Sequence, residues 1–343
     1  MKLSNRTKIG LLGLFVSFLA LYFIALQIDS TLFIDAWRTA DYIYLLPCVL
    51  FLLAGLLTRA FRWQVLLNGD LPLVRAFSIM NVAYLVNGIL PLRIGEVARV
   101  YLASRVQKPV PMPKTTGTII VERVLDLLSV VVMALTAIAL GAQSDELKTA
   151  SLFVALVAII GFSILILFAR RRAWAGWLFT FVNRIFPFLK RFPVLEVWFE
   201  QFLDGLMPLA NPRALGQAIF WTAISWALSI SAGYVLMFAF FEQASIAATM
   251  LYIAAAAFAI ALPAVPGNIG TYEASILLAL YALGYQQSDT AIAFAVMVHA
   301  INVMVHSTMG VVGFVQEGIS LSQLSQGVQQ MEQTSTEVGL NEV

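Results

Sequence analysis

Between Ile9 and Ile28 the chain reads IGLLGLFVSFLALYFIALQI, twenty residues without a charge. Wound as an α-helix, such a run matches the roughly 30 Å hydrocarbon core of a bilayer. Further apolar stretches cover about residues 43–61, 117–140, 150–169, 214–240, 246–262, 272–283 and 291–315. In lipid every backbone amide must find its partner within the protein, so a chain made of such runs folds as helices. The sequence predicts an all-α, polytopic membrane bundle with about eight crossings.

Only 12% of the residues are charged, against roughly 25% in soluble domains. No separate soluble domain of catalytic size fits between the spans. The single cysteine, Cys48, lies in an apolar run and is expected to be packing. A net charge of +2 carries no nucleic-acid signal. The leader with Lys2, Arg6 and Lys8 resembles the start of a signal peptide. Its apolar core is too long and lacks a small-residue cleavage site, so it reads as an anchor.

The basic residues fix an expected orientation. Eighteen of the 21 Lys and Arg fall in segments assigned to one side, only Arg38 and Lys148 on the other, and Arg123 within a span. That asymmetry predicts a multi-pass protein of the cell membrane with cytoplasmic N- and C-termini. We read residues 1–318 as one transmembrane domain and 319–343 as a polar cytoplasmic tail, disordered or a short surface helix. Within the domain, 170–212 is too interrupted by charge to cross. There Glu196, Glu200 and Asp204 recur every four residues opposite Leu195, Trp198, Phe202 and Leu206, which fits an interfacial helix.

Three clusters break the apolar pattern. The first, NGILPLRIGEVARVY, carries Asn87, Gly88, Pro91, Gly95, Arg93, Glu96 and Arg99. The second is Glu122, Arg123 and Asp126 at the start of a span. The third, LPAVPGNIGTYEAS, holds Pro266, Gly267, Asn268, Gly270 and Glu273. One charge at a bilayer centre costs roughly 2.5–3.5 kcal/mol on insertion scales, so these groups must face one another, water or a bound polar group. Arg93, Glu96 and Arg99 step by three and Glu122 and Asp126 by four, so each set can line one helical face. Proline and glycine interrupt the helix, and interrupted backbone survives in a membrane only against protein or a wet cavity. The first and third clusters both read Leu-Pro, Ile-Gly, then Glu, which suggests an inverted repeat with half-helix termini at a transport site. Structural ion pairing is the competing reading for Glu122, Arg123 and Asp126.

His299 and His306 lie seven apart on one face with Asn302, and read as ordinary interior hydrogen bonding. No third ligand has metal-site spacing, so neither metal nor cofactor is expected. The absence of GxSxG, P-loop and Rossmann patterns leads to the expectation of a non-enzyme.

At NGILPLRIGEVARVYL, ERVLD and PAVPGNIGTYEAS, the chain resembles the flippase-like membrane family that includes the transmembrane domain of lysylphosphatidylglycerol synthase, the multiple peptide resistance factor. The resemblance covers about residues 10–315 and implies a helical bundle with re-entrant segments that moves an amphiphilic lipid between leaflets. It also implies motif positions at Arg93, Gly95, Glu96, Arg99, Glu122, Arg123, Asp126, Pro266, Gly267, Gly270 and Glu273. The synthase carries a soluble aminoacyl-transfer domain after its membrane part, whereas this chain ends in a short polar tail, so lipid lysylation is not expected.

The residues themselves fit a phosphate-bearing lipid, because the guanidinium fork binds phosphate bidentately and carboxylates suit a headgroup amine or a proton. The expected partners are membrane lipids: anionic or aminoacylated phospholipid, or a polyprenyl-phosphate type. A small-solute secondary transporter and a non-transporting assembly or accessory protein are the alternatives.

Overall fold

A computed structural model describes residues 30–90, 94–141, 145–186, 194–261, 266–285, 289–328 and 330; the first expected span and Arg93 lie outside them. Among the described residues the chain is helical and contains no strand.

Helix α1 (Ser30–Thr39) leads through a short 3-10 turn to α2 (Leu45–Leu66), which ends where Asn68 and Gly69 take positive φ. Asparagine and glycine reach that left-handed region most easily, and so stop a helix. Next come α3 (Leu73–Ile89), the short α4 (Ile94–Ala103) and the long α5 (Met112–Ala139), with Pro113 in its first turn. Helix α6 (Asp145–Arg170) is followed by α7 (Arg172–Ile185) and α8 (Val194–Leu206). Then α9 (Pro212–Met237) starts on Asn211, whose side chain accepts the Arg213 amide at 3.0 Å. Helices α10 (Ile246–Ala261), α11 (Thr271–Tyr281) and α12 (Asp289–Glu317) complete the bundle.

Among the described residues four segments are long and apolar enough to cross a membrane unaided: Tyr42–Leu66, Ser151–Arg170, Pro212–Met237 and Asp289–Glu317. This is a multi-pass membrane protein. The expected span at 272–283 is corrected here, since α11 has eleven residues and falls well short of the roughly 20 that a crossing needs. It is the second half of a broken element that begins with α10, against which it packs. Helix α2 packs on α9, α3 on α12 and on α4, and α5 on α8, α6 and α10. Leu152, Phe153, Leu156, Ile159 and Ile160 of α6 point outward, a face suited to lipid.

The stretch expected to hold an interfacial helix holds two, α7 and α8. On α8, Leu203 and Leu206 are buried toward α5, while Val197 and Trp198 are exposed. Helix α7 turns Trp174, Trp177, Phe181 and Ile185 outward, at helical spacing. Arg172 joins the two helices by pairing with Glu200 at 3.2 Å and with Asp204. The start of the polar tail forms a helix over 321–328 that buries Leu324 and Val328 in the cluster around Leu102 and Val110. Residues 331–343 lie outside the described range.

Candidate functional site

Two interrupted segments converge. Where α3 stops at Ile89, the chain breaks and restarts as α4, and the Asn87 side chain accepts the Gly95 amide at 2.8 Å. One of the amides orphaned at a helix start is thereby satisfied. Gly95 is required there by proximity, because a β-carbon would collide with the Ala83 carbonyl and the Asn87 amide group. In the second break, Gly267 (φ +70°) and Gly270 (φ +87°) turn the chain into α11 in a conformation that glycine adopts at least cost. The Gly270 amide donates to Glu273 Oε2 at 2.7 Å, so that carboxylate caps its own helix. The turn packs on α3 beside Gly88.

Between these breaks lies a partly open cavity of about 810 Å³. Its charged wall is built from Glu96 and Arg99 of α4 and Arg123 and Asp126 of α5, with Arg59 of α2. Asn87, Gly88, Gly267 and Asn268 bring the broken segments to the wall, while Tyr84, Trp226, Tyr272, His299, Asn302 and His306 supply aromatic and polar lining.

Behind the wall an ion-pair network holds α2, α4, α5 and α9 together. Glu122 is fully buried and accepts from Arg62 at 2.9 Å and from Arg99. Arg62 also grips Asp126 at 2.6 and 3.2 Å and reaches Thr222 at 3.3 Å. The Arg99 guanidinium stacks 3.7 Å from the Trp63 ring centroid, and the Trp63 indole donates to Thr118. Trp226 donates to Asp126 at 3.3 Å. Arg123 sits 3.5 Å from Glu96 and 3.9 Å from Asp126. Charges removed from water are tolerated when paired in this way, although the Nε atoms of Arg62, Arg99 and Arg123 have no hydrogen-bond partner among the described residues.

On the opposite side, His299 Nδ1 lies 2.6 Å from Glu273 Oε1 and its ring packs against Tyr272. His306 bonds to the Asn302 carbonyl and meets Tyr84 edge-on.

The sequence-derived candidates thus separate. Glu96, Arg99, Arg123 and Asp126 share the cavity wall; Glu122 and Glu273 lie behind it, each already engaged. Pro266 opens the turn, while Arg93 and Pro91 fall outside the described residues. Arg59 and Arg62, which entered the sequence reading only through the one-sided count of basic residues, join the site: Arg62 is buried and Arg59 lines the cavity. Their three-residue spacing was the available signal, together with the matching polar stripe Thr222, Ser225, Trp226 and Ser229 on α9. Among the described residues no group of three or more His, Cys, Asp or Glu is arranged to hold a metal.

A protein of this architecture matches the family described as the lysylphosphatidylglycerol synthase TM region over residues 10–310. The chain belongs to that family. The chain is also 24% identical over 345 residues to the glycosyltransferase AglD of Haloferax volcanii, covering 90% of this chain and 54% of AglD. It therefore spans about half the length of that relative. No solved structure matches it. Membership points to a membrane lipid-related function. The expectation of a non-enzyme is corrected by AglD, a relative named for group transfer that matches nine-tenths of this family member. Motif absence was a weak ground, because a membrane domain can serve a transfer reaction without any soluble-enzyme fingerprint.

Proposed function

We propose that this protein moves an amphiphilic, phosphate-bearing lipid between leaflets, with the headgroup passing through the cavity and the acyl chains remaining in the surrounding hydrocarbon. The observation that carries the reading is the charged wall of Glu96, Arg99, Arg123 and Asp126 facing a volume of about 810 Å³ between two broken segments. A headgroup leaving water needs substitute partners, and these residues offer both signs of charge. Anionic or aminoacylated phospholipids and polyprenyl phosphates all have suitable chemistry. In this reading the basic segments and both termini lie in the cytoplasm.

The test is lipid translocation in proteoliposomes, followed by quenching of fluorescent lipid that reaches the outer leaflet. Arg123→Ala and Asp126→Ala are expected to abolish exchange while the protein still inserts. Wild-type exchange rates in both variants would overturn the reading.

A second reading is favoured by the named activity of AglD: the same cavity would hold the lipid carrier or acceptor of a glycosyl transfer. Incubating the purified chain with a labelled lipid-phosphate-linked sugar separates the two. Label that appears in a new product supports transfer, and label that changes leaflet on an unaltered lipid supports translocation.

A further inference from the structure

Four arginines converge on the polar cluster, and their partners differ. Arg62 is buried and divided between Glu122, Asp126 and Thr222. Arg99 is buried, paired with Glu122 and stacked on Trp63. Arg123 lies within 4.0 Å of both Glu96 and Asp126. Arg59 has no carboxylate within that distance among the described residues. Its Nε donates to Ser225 Oγ at 3.1 Å and an Nη to Ser229 Oγ at 3.5 Å. The Ser229 hydroxyl donates in turn to the Ser225 carbonyl, which leaves its lone pairs for the guanidinium. The rings of Tyr84 and Trp226 flank the Arg59 carbon at 6.0 Å each, and the side chain lines the cavity.

From this asymmetry we infer that Arg59 is the anion-binding cation of the cavity, the residue that selects a phosphate oxyanion. A guanidinium carries five N–H donors in a rigid fork, and only two here are committed, both to neutral hydroxyls. The remaining edge meets an incoming anion without first giving up a carboxylate. Arg62 and Arg99 would have to break hydrogen-bonded ion pairs to do the same, and Arg123 would be drawn away from two carboxylates at 3.5 and 3.9 Å. Ser225, Ser229 and the two rings are positioning groups that hold the fork in place. In the described network four cations face the three carboxylates Glu96, Glu122 and Asp126, so the surplus charge rests on Arg59. The inference builds on the lipid-headgroup reading and places the phosphate contact on an arginine outside the sequence-derived candidates Arg93, Arg99 and Arg123.

Native mass spectrometry of the full chain in detergent tests it. The probes are phosphatidic acid, phosphatidylglycerol, diacylglycerol of matched acyl chains, and sodium phosphate. The wild type is expected to retain the two anionic lipids over diacylglycerol, and Arg59→Gln to lose that preference by at least about tenfold, the scale of one charge-assisted hydrogen bond. Arg59→Lys should keep part of it, because the charge remains and the fork does not. Arg172→Gln, far from the cavity on the α7–α8 pair, is the control and should bind as wild type. Displacement of lipid by millimolar sodium phosphate assigns the site to any phosphate, and failure to displace assigns it to a lipid headgroup. If Arg59→Gln does not fold, the double variant Ser225→Ala/Ser229→Ala removes only the aiming hydroxyls and should weaken anionic lipid a few-fold. Unchanged preference in Arg59→Gln, or in that double variant where Arg59→Gln does not fold, overturns the inference while leaving the translocation reading to its own assay. Absence of any anionic preference in wild type overturns it also, and the translocation assay on the same preparation then decides whether the cavity handles lipid at all.

Discussion

Glu122 is held by two guanidiniums and Glu273 by one imidazole and one backbone amide, although both lie behind the wall of the same cavity. The first fastens three helices, with Arg62 on α2, Arg99 on α4 and the carboxylate itself on α5. The second fastens a turn to a helix, joining Gly270 to His299 of α12. A guanidinium stays charged under all ordinary conditions. One side of the cavity is therefore braced by two permanent cations that join three helices, and the other by one ring and one backbone amide that join a turn to a helix. The difference matters for a site that must admit a polar headgroup, because a brace that ties three helices resists rearrangement more than one that ties a turn to a single helix.

The largest effect should come from Glu122→Gln. It leaves Arg62 with Asp126 and strands Arg99 against an amide, and stranding a buried charge costs about 3–5 kcal/mol. The expected outcome is a large fall in the thermal unfolding temperature of the detergent-purified protein, followed by fluorescence-monitored size exclusion. Retention of wild-type stability would mean that Arg99 finds another anion, and the contrast between the two sides would collapse.

Glu273→Gln should do less. The amide oxygen can still accept from Gly270, and His299 can bond as a neutral ring, so the loss is one charge-assisted hydrogen bond, about 1–3 kcal/mol. The same thermal assay is expected to rank it clearly below Glu122→Gln. Equal losses would show that the imidazole is acting as a fixed cation and that both braces are ionic.

How far the sequence disclosed this contrast depends on the residue. Glu96, Arg99, Glu122, Arg123 and Asp126 were legible, because charges at helical spacing inside apolar runs have few physical excuses. The two breaks were legible from Pro91, Gly95, Pro266 and Gly267, since proline and glycine interrupt a helix wherever they cluster. The convergence of both breaks on one site rested only on their shared Leu-Pro, Ile-Gly, Glu pattern, because their separation along the chain says nothing of distance in space. Arg59 and Arg62 were hidden for a different reason. A cation at the end of an apolar run satisfies the positive-inside pattern whether it points to headgroups or into the bundle, and only packing against α9 decides. Glu273 was ambiguous in a third way: a glutamate three residues after a turn glycine can face a cavity or cap its own helix, and the Gly270-to-Glu273 spacing already favoured the cap. On α8 the regular apolar stripe was real, but a stripe does not say whether membrane or protein covers it.

The smallest effect tests the other end of the same scale. Arg172 meets Glu200 and Asp204 with its side chain 40% exposed, so water screens the pair and competes for each of its groups. Ion pairs of that kind contribute about 0–1 kcal/mol. The α7–α8 hairpin has an apolar tie as well, since Phe179 stacks on Phe199 with centroids 4.7 Å apart. Arg172→Gln should accordingly leave the unfolding temperature within a degree or two of wild type, on the order of the shift that a few tenths of a kcal/mol produces. A fall comparable to that of Glu273→Gln would show that Arg172 is braced in a setting far less wet than its exposure indicates. The ranking by burial, from Glu122 through Glu273 to Arg172, would then give way to one set by the number of helices that each charge joins.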